Sequence, residues 1–352
     1  MTTSPSGYGC SSDNSSSAGL NKAGSCIGVR LAGTGMGIPE KELTNADLAK
    51  MVDTSDEWIT QRTGIKTRRI AEEGVTARHL GARALKMALE NAGMSPKQLD
   101  LVIVATITPE MICPSTAAQI VADVGAIPAA AFDLNAACSG FVYALTTGAN
   151  FIKCGQYKTV AVIGTETLAR LADWKDRRTC ILFGDGAGAV ILTASEDATQ
   201  GSLFASLHSD GSMWQELYCP RGPGDVPPGD KIFSGAYNTL QMNGQAIFKF
   251  AVSTLQKCID EALAAKGLRA EDLAGIVSHQ SNYRILESAR ERLGLSPEKL
   301  YINIDRYGNT SSASIPIAFH ELTAGGKFKK GDLVLFVGLG GGLTWAANLW
   351  RL

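Results

Sequence analysis

The sequence has no long apolar run and almost no excess of charge of either sign. No apolar stretch approaches the ~18–20 residues that a membrane-spanning helix needs. The N-terminus has no basic segment followed by an apolar one, so we expect no secretory signal peptide. A net charge of −1 argues against a general nucleic-acid or anionic-membrane surface, although it allows a local basic patch. We therefore expect a soluble cytoplasmic protein, or one of the plastid stroma if the chain is eukaryotic.

Cysteines are present, but their spacing does not fit metal binding or disulfide bonding. The eight cysteines are scattered, and none belongs to a C-x-x-C motif. Several lie in apolar runs, which is usual for free thiols in a reducing compartment. The pattern predicts neither a disulfide framework nor a zinc site, and we expect no bound metal.

The composition is that of a globular chain that follows a polar segment. Residues 1–26 are rich in Ser and Gly with hardly an aliphatic residue, so we predict a disordered tail there. The remaining chain is long enough for about two ordinary domains. We expect these to be residues 27–200 and 201–352, because the order of predicted elements repeats.

Two glycine-rich segments look like nucleotide-binding loops but do not fit them. GTGMGIP at 33–39 has Ile38 where the third glycine of G-x-G-x-x-G is needed. FGDGAGAVIL at 183–192 lacks the Lys and Ser/Thr of a phosphate-binding loop. We therefore predict a glycine turn in each, the first leaving a strand at 27–34 and the second feeding a strand that ends at Thr193.

Hydrophobic patterning predicts alternating helices and buried strands. The predicted helices cover 76–92, 140–151, 244–266, 281–293 and 315–322. The other predicted strands cover 101–106, 159–164, 272–278, 300–304 and 332–337, and a Pro/Gly-rich surface loop covers 216–232.

Two short segments carry possible site residues. DLNAACSGF at 133–141 places Cys138 at a predicted helix start, where backbone N–H groups and the helix dipole favour thiolate. On its own this stretch fits a nucleophile or a buried structural cysteine equally well. DTSDEWITQR at 53–62 places Trp58 and Arg62 on one helix face. That pair suits an adenine or phosphate ligand, although an Arg stem packed on Trp is commoner.

The order of predicted elements occurs twice, which indicates internal duplication. LDLVIVATIT, FDLNAACSG and VAVIGTE in the first half correspond to LAGIVSHQS, INIDRYGNTSS and LVLFVGLGGG in the second. Ligands of open α/β sheets bind beyond the carboxyl ends of the strands. Two pseudo-symmetric halves would therefore bring Cys138, His279 and Asn309 to one place.

Cysteine, histidine and asparagine together indicate acyl transfer. A cysteine attacks a thioester or amide carbonyl, and N–H donors hold the negative oxygen. His279 is the candidate because it alone of four histidines ends a buried strand. Asn309 has a second interpretation, since Gly-Asn is a common turn pair.

Seven motifs in order resemble the β-ketoacyl-acyl carrier protein synthase III family of thiolase-like condensing enzymes. The resemblance covers residues 27–352 and implies an α/β thiolase-like fold, with two duplicated βαβαβ-type halves packed as a five-layered α-β-α-β-α core. The motifs are DTSDEWITQRTGI (53–65), AACSGF (136–141), DRRTCILFGDGAGA (176–189), QMNGQAIFKFAV (241–252), HQSNYRI (279–285), YGNTSSASIP (307–316) and GLGGGLTW (338–345).

The resemblance implies a decarboxylative Claisen condensation that starts type II fatty acid synthesis. Cys138 would take the acyl group from acyl-CoA, with acetyl-CoA as the expected starter. His279 and Asn309 would then support decarboxylation of malonyl-acyl carrier protein, and the carbanion would attack the acyl-cysteine. The products would be 3-oxoacyl-acyl carrier protein, CO₂ and CoA, with no cofactor other than CoA as substrate and product.

The resemblance also implies binding roles and a homodimer. A loop of the neighbouring subunit, PEMICPS at 109–115, would close the acyl pocket. The implied residues are Cys138 and Gly341 (backbone oxyanion hole), Trp58, Arg62, Arg177 and Asn282 (CoA), Cys113 and Phe248 (acyl pocket), and Lys249 and Arg284 (carrier-protein docking).

Two positions depart from the family pattern. Cys113 stands where a larger aromatic residue is common, which would widen the acyl pocket and puts the acetyl preference in question. Arg178 stands where Gly is common, so either Arg177 or Arg178 is a candidate for the CoA contact.

Other condensing enzymes, a hydrolase and a non-catalytic scaffold are competing interpretations of the function. Elongating synthases use Cys-His-His and thiolases Cys-His-Cys, so Asn309 argues against both. Type III polyketide synthases share Cys-His-Asn, which leaves a specialised acyltransferase or polyketide-type condensing enzyme as an alternative. A Cys-His-Asn hydrolase would not explain Trp58, Arg62 and the duplication. A non-catalytic scaffold would not need the three residues.

Overall fold

A computed structural model describes residues 27–226 and 236–352. The predicted tail at 1–26 and residues 227–232 of the predicted surface loop lie outside the described residues. Within the described ranges, none of the helices has the length and apolar character that crossing a bilayer requires.

Strands and helices alternate along the chain. The elements up to residue 195 are strands β1 (Gly28–Gly37), β2 (Glu42–Thr44), β3 (Thr67–Arg69), β4 (Leu101–Ala105), β5 (Ala130–Leu134), β6 (Thr159–Thr167) and β7 (Asp185–Ser195), with helices α1 (Asn45–Leu48), α2 (Asp56–Thr63), α3 (Ala77–Ala92), α4 (Thr116–Val124) and α5 (Gly140–Lys153). The later elements are strands β8 (Gly201–Ser209), β9 (Leu217–Tyr218), β10 (Gln241–Met242), β11 (Gly275–Ser278), β12 (Leu333–Gly340) and β13 (Thr344–Arg351), with helices α6 (Gly244–Ala264), α7 (Tyr283–Arg292), α8 (Ile304–Tyr307) and α9 (Ser314–Ala324).

The two large sheets share an arrangement of four strands. The first sheet is β1-β7-β6-β4-β5 and the second is β8-β13-β12-β11, so that β5 has no counterpart strand in the second. The corresponding pairs β4–β6 and β11–β12 are parallel, whereas the pairs β6–β7 and β12–β13 are antiparallel. This repetition agrees with the duplication expected from the sequence. The boundary at residue 200 stays a prediction; it falls in the short connection between β7 and β8.

The predicted strand at 300–304 is wrong. The second sheet continues beyond β11 only as one parallel bridge, between Ile276 and Leu300. Ile304 instead begins α8. Leu300 is buried against α6 and α7, and Ile304 is buried against α1 and α2, so hydrophobicity alone could not distinguish this segment from a strand.

Three apolar clusters join the five layers of the fold. Phe141 of α5 and Phe319 of α9 belong to the central cluster, which lies between the two sheets. Helices α3 and α4 cover the outer face of the first sheet, and α6 and α7 cover that of the second. The order is therefore α-β-α-β-α, as the resemblance implied.

The predicted glycine turns are wrong in both places. Gly33, Gly35 and Gly37 lie inside β1 and face α3, and a Cβ on Gly35 would be 2.3 Å from the Ala84 carbonyl oxygen. Likewise, Gly188 lies inside β7, where a Cβ would be 2.6 Å from a backbone nitrogen of α9. Glycines at every second position of a strand mark close approach of another backbone rather than a turn.

Candidate active site

Cys138 lies in a tight 3-10 turn, Ala137–Ser139, between β5 and α5. Ala137 has a left-handed backbone (φ 47°), and the Ser139 hydroxyl donates to the Ala136 carbonyl at 2.7 Å. Cys138 is 9% exposed. The prediction that it stands at the start of a helix is confirmed.

The end of β12 lies directly against this turn. A Cβ on Gly340 would be 2.7 Å from the Cys138 nitrogen, and one on Gly338 would be 2.7 Å from Cα of Ser139. Only hydrogen fits at these two positions, which explains the glycines of GLGGG. The second half of the chain therefore forms part of the wall around the cysteine of the first.

The Cys138 thiol is uncharged at rest. Burial raises its pKa to about 12, and the charge of Glu166 acts in the same direction. The nearby Ser311 hydroxyl and the backbone N–H groups of Cys138 and Gly341 lower the pKa but do not offset burial. The helix start alone therefore does not produce the thiolate that the sequence pattern favoured.

His279 follows β11, and its ring is held by the chain around Ser314. Its backbone N–H donates to the Val337 carbonyl at 2.8 Å, and its Nδ1 lies 2.8 Å from the Ser314 hydroxyl. That hydroxyl donates to the Ser311 carbonyl, so it accepts from Nδ1–H and leaves Nε2 without a proton. Burial lowers the pKa of His279 to about 3, which keeps the ring neutral.

Asn309 combines the two roles that the sequence allowed. Its side-chain oxygen accepts from the Ser311 backbone N–H at 2.8 Å, as in a turn. This bond fixes the side-chain nitrogen as the end that can donate to a ligand. A parallel bridge to Phe183 holds the backbone, and the residue is 7% exposed.

One cavity of about 570 Å³ contains all three residues. Cys138, His279 and Asn309 are all buried in its lining. The other predicted residues that line it are Trp58, Arg62, Arg177, Asn282, Phe248 and Arg284, of which the three arginines are exposed. The convergence expected from the repeat is therefore present in the structure.

Trp58 lies between two guanidinium groups at this cavity. Cζ of Arg62 is 4.7 Å from the indole centroid, and Cζ of Arg177 is 5.0 Å from it. Arg178 instead forms three hydrogen bonds to the Asp176 carboxylate. Of the two neighbouring arginines, Arg177 is thus the one next to the indole.

Comparisons with known proteins show the family of this chain. The sequence profiles of 3-oxoacyl-[acyl-carrier-protein] synthase III and of its C-terminal part match residues 132–211 and 263–352. The Beta-ketoacyl-[acyl-carrier-protein] synthase III of Caldanaerobacter subterraneus subsp. tengcongensis is 48% identical over 323 residues, which cover 92% of this chain and 97% of that protein. The chain belongs to the β-ketoacyl-acyl carrier protein synthase III family. Its enzyme class is that of a condensing acyltransferase, and its fold is thiolase-like.

Solved structures of synthase III proteins have the same fold. That of 3-oxoacyl-[acyl-carrier-protein] synthase III from Aquifex aeolicus VF5 is 46% identical, with a TM-score of 0.85 over 92% of this chain and all of that one. The priming β-ketosynthase of the R1128 polyketide pathway is 34% identical, with a TM-score of 0.86 over 95% of this chain and 99% of that one. The fold is thus shared by a polyketide-priming ketosynthase at 34% identity.

Some predicted residues of this synthase III chain lie outside the cavity or are already bonded. Cys113 is exposed on the loop at 109–115 and does not line the cavity of its own chain. Lys249 is exposed on α6, beside the cavity residue Phe248. Asn282 caps α7 and donates to the Arg62 carbonyl at 3.0 Å, so its side chain joins α2 to α7.

Sequence reasoning missed the polar residues behind the catalytic candidates. Glu166, Ser312 and Ser314 are all buried and bonded to the site or its supporting turns. One signal for Glu166 was present, because it is the only acid in an otherwise apolar or small-residue strand, TVAVIGTET. A charged residue in a buried strand needs a specific partner.

Proposed function

We propose that this chain condenses an acyl-CoA starter with malonyl-acyl carrier protein to give 3-oxoacyl-acyl carrier protein, CO₂ and CoA, and so begins type II fatty acid synthesis. The observation that carries this proposal is the meeting of Cys138, His279 and Asn309 in one cavity with the Trp58–arginine group. A cysteine, an imidazole and an amide donor supply all the groups that the reaction uses, so CoA takes part only as substrate and product.

In the acylation step the sulfur of Cys138 attacks the thioester carbonyl. The backbone N–H groups of Cys138 and Gly341 lower the pKa of the Cys138 thiol, and in this proposal they stabilise the oxyanion. Loss of one such donor typically costs roughly 10²–10³ in rate. The thiol proton passes to the free Nε2 of His279, and CoA leaves as a thiolate that takes a proton from solvent.

In the condensation step malonyl-acyl carrier protein loses CO₂. The side-chain N–H of Asn309 and the newly protonated Nε2 of His279 stabilise the enolate oxygen. The carbanion attacks the acyl-cysteine carbonyl, the C–S bond breaks, and the proton of His279 returns to the Cys138 sulfur. The neutral His279 of the resting state becomes a donor only after it has taken the proton from the thiol.

The CoA site is tested by comparing three variants. In Trp58→Ala and Arg177→Ala we expect KM for acyl-CoA to rise about fivefold with little change in kcat, since each variant loses one partner of the exposed contact between the indole and a guanidinium group. Arg178→Ala is the matched control and should stay within about twofold. Each of the two arginines is bonded to an aspartate, Arg177 to Asp53 and Arg178 to Asp176, but of the two it is Arg177 that contacts the indole. Steady-state kinetics with varied acyl-CoA measures both parameters. A larger effect of Arg178→Ala would reassign the contact.

A second copy of the chain completes the site in this proposal. Strand β5 ends the first sheet with one neighbour, β4, among the described strands. Near it, on the loop at 109–115, Met111 is 48% exposed and Ile112 is 87% exposed. An open strand edge beside exposed apolar side chains is typical of a homodimer interface. Cys113 would then reach the acyl pocket of the partner.

For the dimer, we expect Ile112→Asp to raise the dissociation constant at least about tenfold, because it places a charge in an apolar interface. Sedimentation velocity over a dilution series measures the change. Met51→Asp is the control, since Met51 is also apolar and 52% exposed but belongs to another surface. Equal dissociation of both variants, or of neither, would contradict the assigned interface.

The starter is acetyl-CoA in this proposal, and a longer or branched starter is the alternative that Cys113 would allow if it widens the acyl pocket. The R1128 relative favours priming of polyketide synthesis as the alternative function. Intact-mass detection of the acyl-enzyme over acyl-CoAs of different length and branching separates the two. Release of the acyl group to water without malonyl-acyl carrier protein would instead indicate a hydrolase. The cytoplasmic location stays a prediction.

A further inference from the structure

Glu166, near the end of β6, is a completely buried acid that the reaction above does not use. Its Oε2 accepts from the Ile107 backbone N–H at 3.1 Å and from the Thr108 hydroxyl at 2.8 Å. The Thr106 hydroxyl lies 3.2 Å from the same oxygen. The other oxygen, Oε1, lies 2.9 Å from the Ser312 hydroxyl.

The contacts of Ser312 indicate which form of Glu166 the structure holds. The Ser312 hydroxyl lies 2.8 Å from the Ala105 carbonyl oxygen, which can only accept, and 2.9 Å from Oε1 of Glu166. A hydroxyl has one proton and can donate to only one of them. If Oε1 carries a proton, it donates to Ser312, which donates to Ala105, and both contacts are hydrogen bonds. If Glu166 is ionised, one contact joins two acceptors with no proton between them.

This network supports the reactive residues directly. Ser312 belongs to the 3-10 turn Ser311–Ala313, in which Ser311 has a left-handed backbone (φ 50°). The N–H of Ser311 binds Asn309, and its carbonyl accepts from Ser314, the partner of His279. Its buried hydroxyl has no partner at ordinary hydrogen-bond distance among the described residues, yet it lowers the pKa of both Cys138 and Glu166.

Cys138 and Glu166 are close enough to affect each other electrostatically. The charge of Glu166 raises the pKa of the Cys138 thiol. The segments at 106–108 and 311–313 contribute hydroxyls and backbone groups, with no ionisable side chain. Burial raises the pKa of Glu166 to about 7, so this acid changes charge near neutral pH.

We propose that Glu166 is a positioning residue that is an uncharged carboxylic acid when Cys138 reacts, and that its ionisation opposes formation of the Cys138 thiolate. The neutral acid fixes the turn at Ser311–Ala313 through Ser312 and places no negative charge beside the sulfur. The proposal rests on Cys138 as the reactive thiol of the proposed function, but its test needs neither acyl-CoA nor carrier protein.

The test is the pH dependence of Cys138 alkylation by iodoacetamide, followed by mass spectrometry of the peptide that contains Cys138. The thiolate is the reacting species, so below its pKa the rate should rise about tenfold per pH unit. A plot of the logarithm of the alkylation rate against pH is then a straight line. In the wild type we expect the alkylation rates above pH ~7 to lie about threefold to tenfold below this line, because ionised Glu166 disfavours a second negative charge. Glu166→Gln, which imitates the neutral acid, should follow the straight line.

Glu90→Gln, a change at an exposed acid on α3, is the matched control. Its alkylation rates should fall below the straight line above pH ~7 as those of the wild type do, and we call this departure the bend. Asp185, another buried acid, has a pKa that burial raises to about 6, and it is intact in Glu166→Gln. A bend that persists in Glu166→Gln would therefore belong to another group and overturn the proposal, as would a straight wild-type line.

An infrared titration of the wild-type protein with ¹³C-labelled glutamate tests the proposal without any substitution. We expect one buried protonated carboxyl band of glutamate that disappears as the pH rises through about 7. Its absence at pH ~6 would overturn the proposal, since an acid with that pKa should be mostly protonated there. If the bend and the band are present but Cys138 takes no acyl group from acyl-CoA, the proposed function fails and this inference stands.

Discussion

Cys138→Ala is expected to form no acyl-enzyme and to lose condensation activity by about 10⁴-fold or more, because the sulfur is the only atom that carries the acyl group between the two substrates. Intact mass after mixing with acyl-CoA detects the adduct. Product formation with malonyl-acyl carrier protein measures the loss of condensation activity.

Cys219→Ala is the matched control for the nucleophile. Cys219 is half-buried in a small apolar cluster with Phe183 and Leu217, both of which line the cavity, but Cys219 itself does not. We expect this variant to give the same adduct as the wild type. Equal labelling of Cys138→Ala and the wild type would contradict the assignment of Cys138.

His279→Ala is expected to separate the two steps. Acylation should still reach completion, at a reduced rate, because the oxyanion donors of Cys138 and Gly341 are intact and solvent can take the thiol proton. Condensation should fall about 10²–10⁴-fold, since the enolate oxygen loses the donor that His279 becomes after taking that proton. Mass spectrometry of the acyl-enzyme and a single-turnover assay with malonyl-acyl carrier protein measure the two steps separately.

His208→Ala is the control for this split. His208 stacks on Trp345 at a ring distance of 5.4 Å and does not line the cavity. In His208→Ala, acylation and condensation should both proceed at rates near those of the wild type. Normal condensation in His279→Ala would contradict the role of His279 as donor to the enolate.

The meeting of Cys138, His279 and Asn309 could be predicted because it depends on topology. Each residue follows a strand or a strand-like segment, and the repeat places those strand ends together. The state of each side chain could not be predicted in the same way. The position of the proton on His279 depends on Ser314, and the orientation of the Asn309 amide depends on the Ser311 backbone, so both follow from packing between distant segments.

The glycines show where pattern reading failed. The same residue type serves a turn or a close backbone contact, and only the spacing distinguishes them. Gly33, Gly35 and Gly37 alternate along β1, so the periodicity of these glycines, rather than their number, indicates the strand. The predicted strand at 300–304 failed for a different reason, because sheet pairing there stops after the single bridge of Leu300.

The two 3-10 turns with a left-handed first residue show how the copies of a duplicated fold have diverged. Ala137 begins one turn and Ser311 begins the other, and each turn leads into a helix of the central layer. Cys138 and Ser312 therefore occupy equivalent places. In the first half this place holds a thiol that lines the cavity, whereas in the second half it holds a hydroxyl enclosed by its contacts with Glu166 and Ala105. The same turn thus presents a side chain to the cavity in one half of the fold and acts as an internal support in the other.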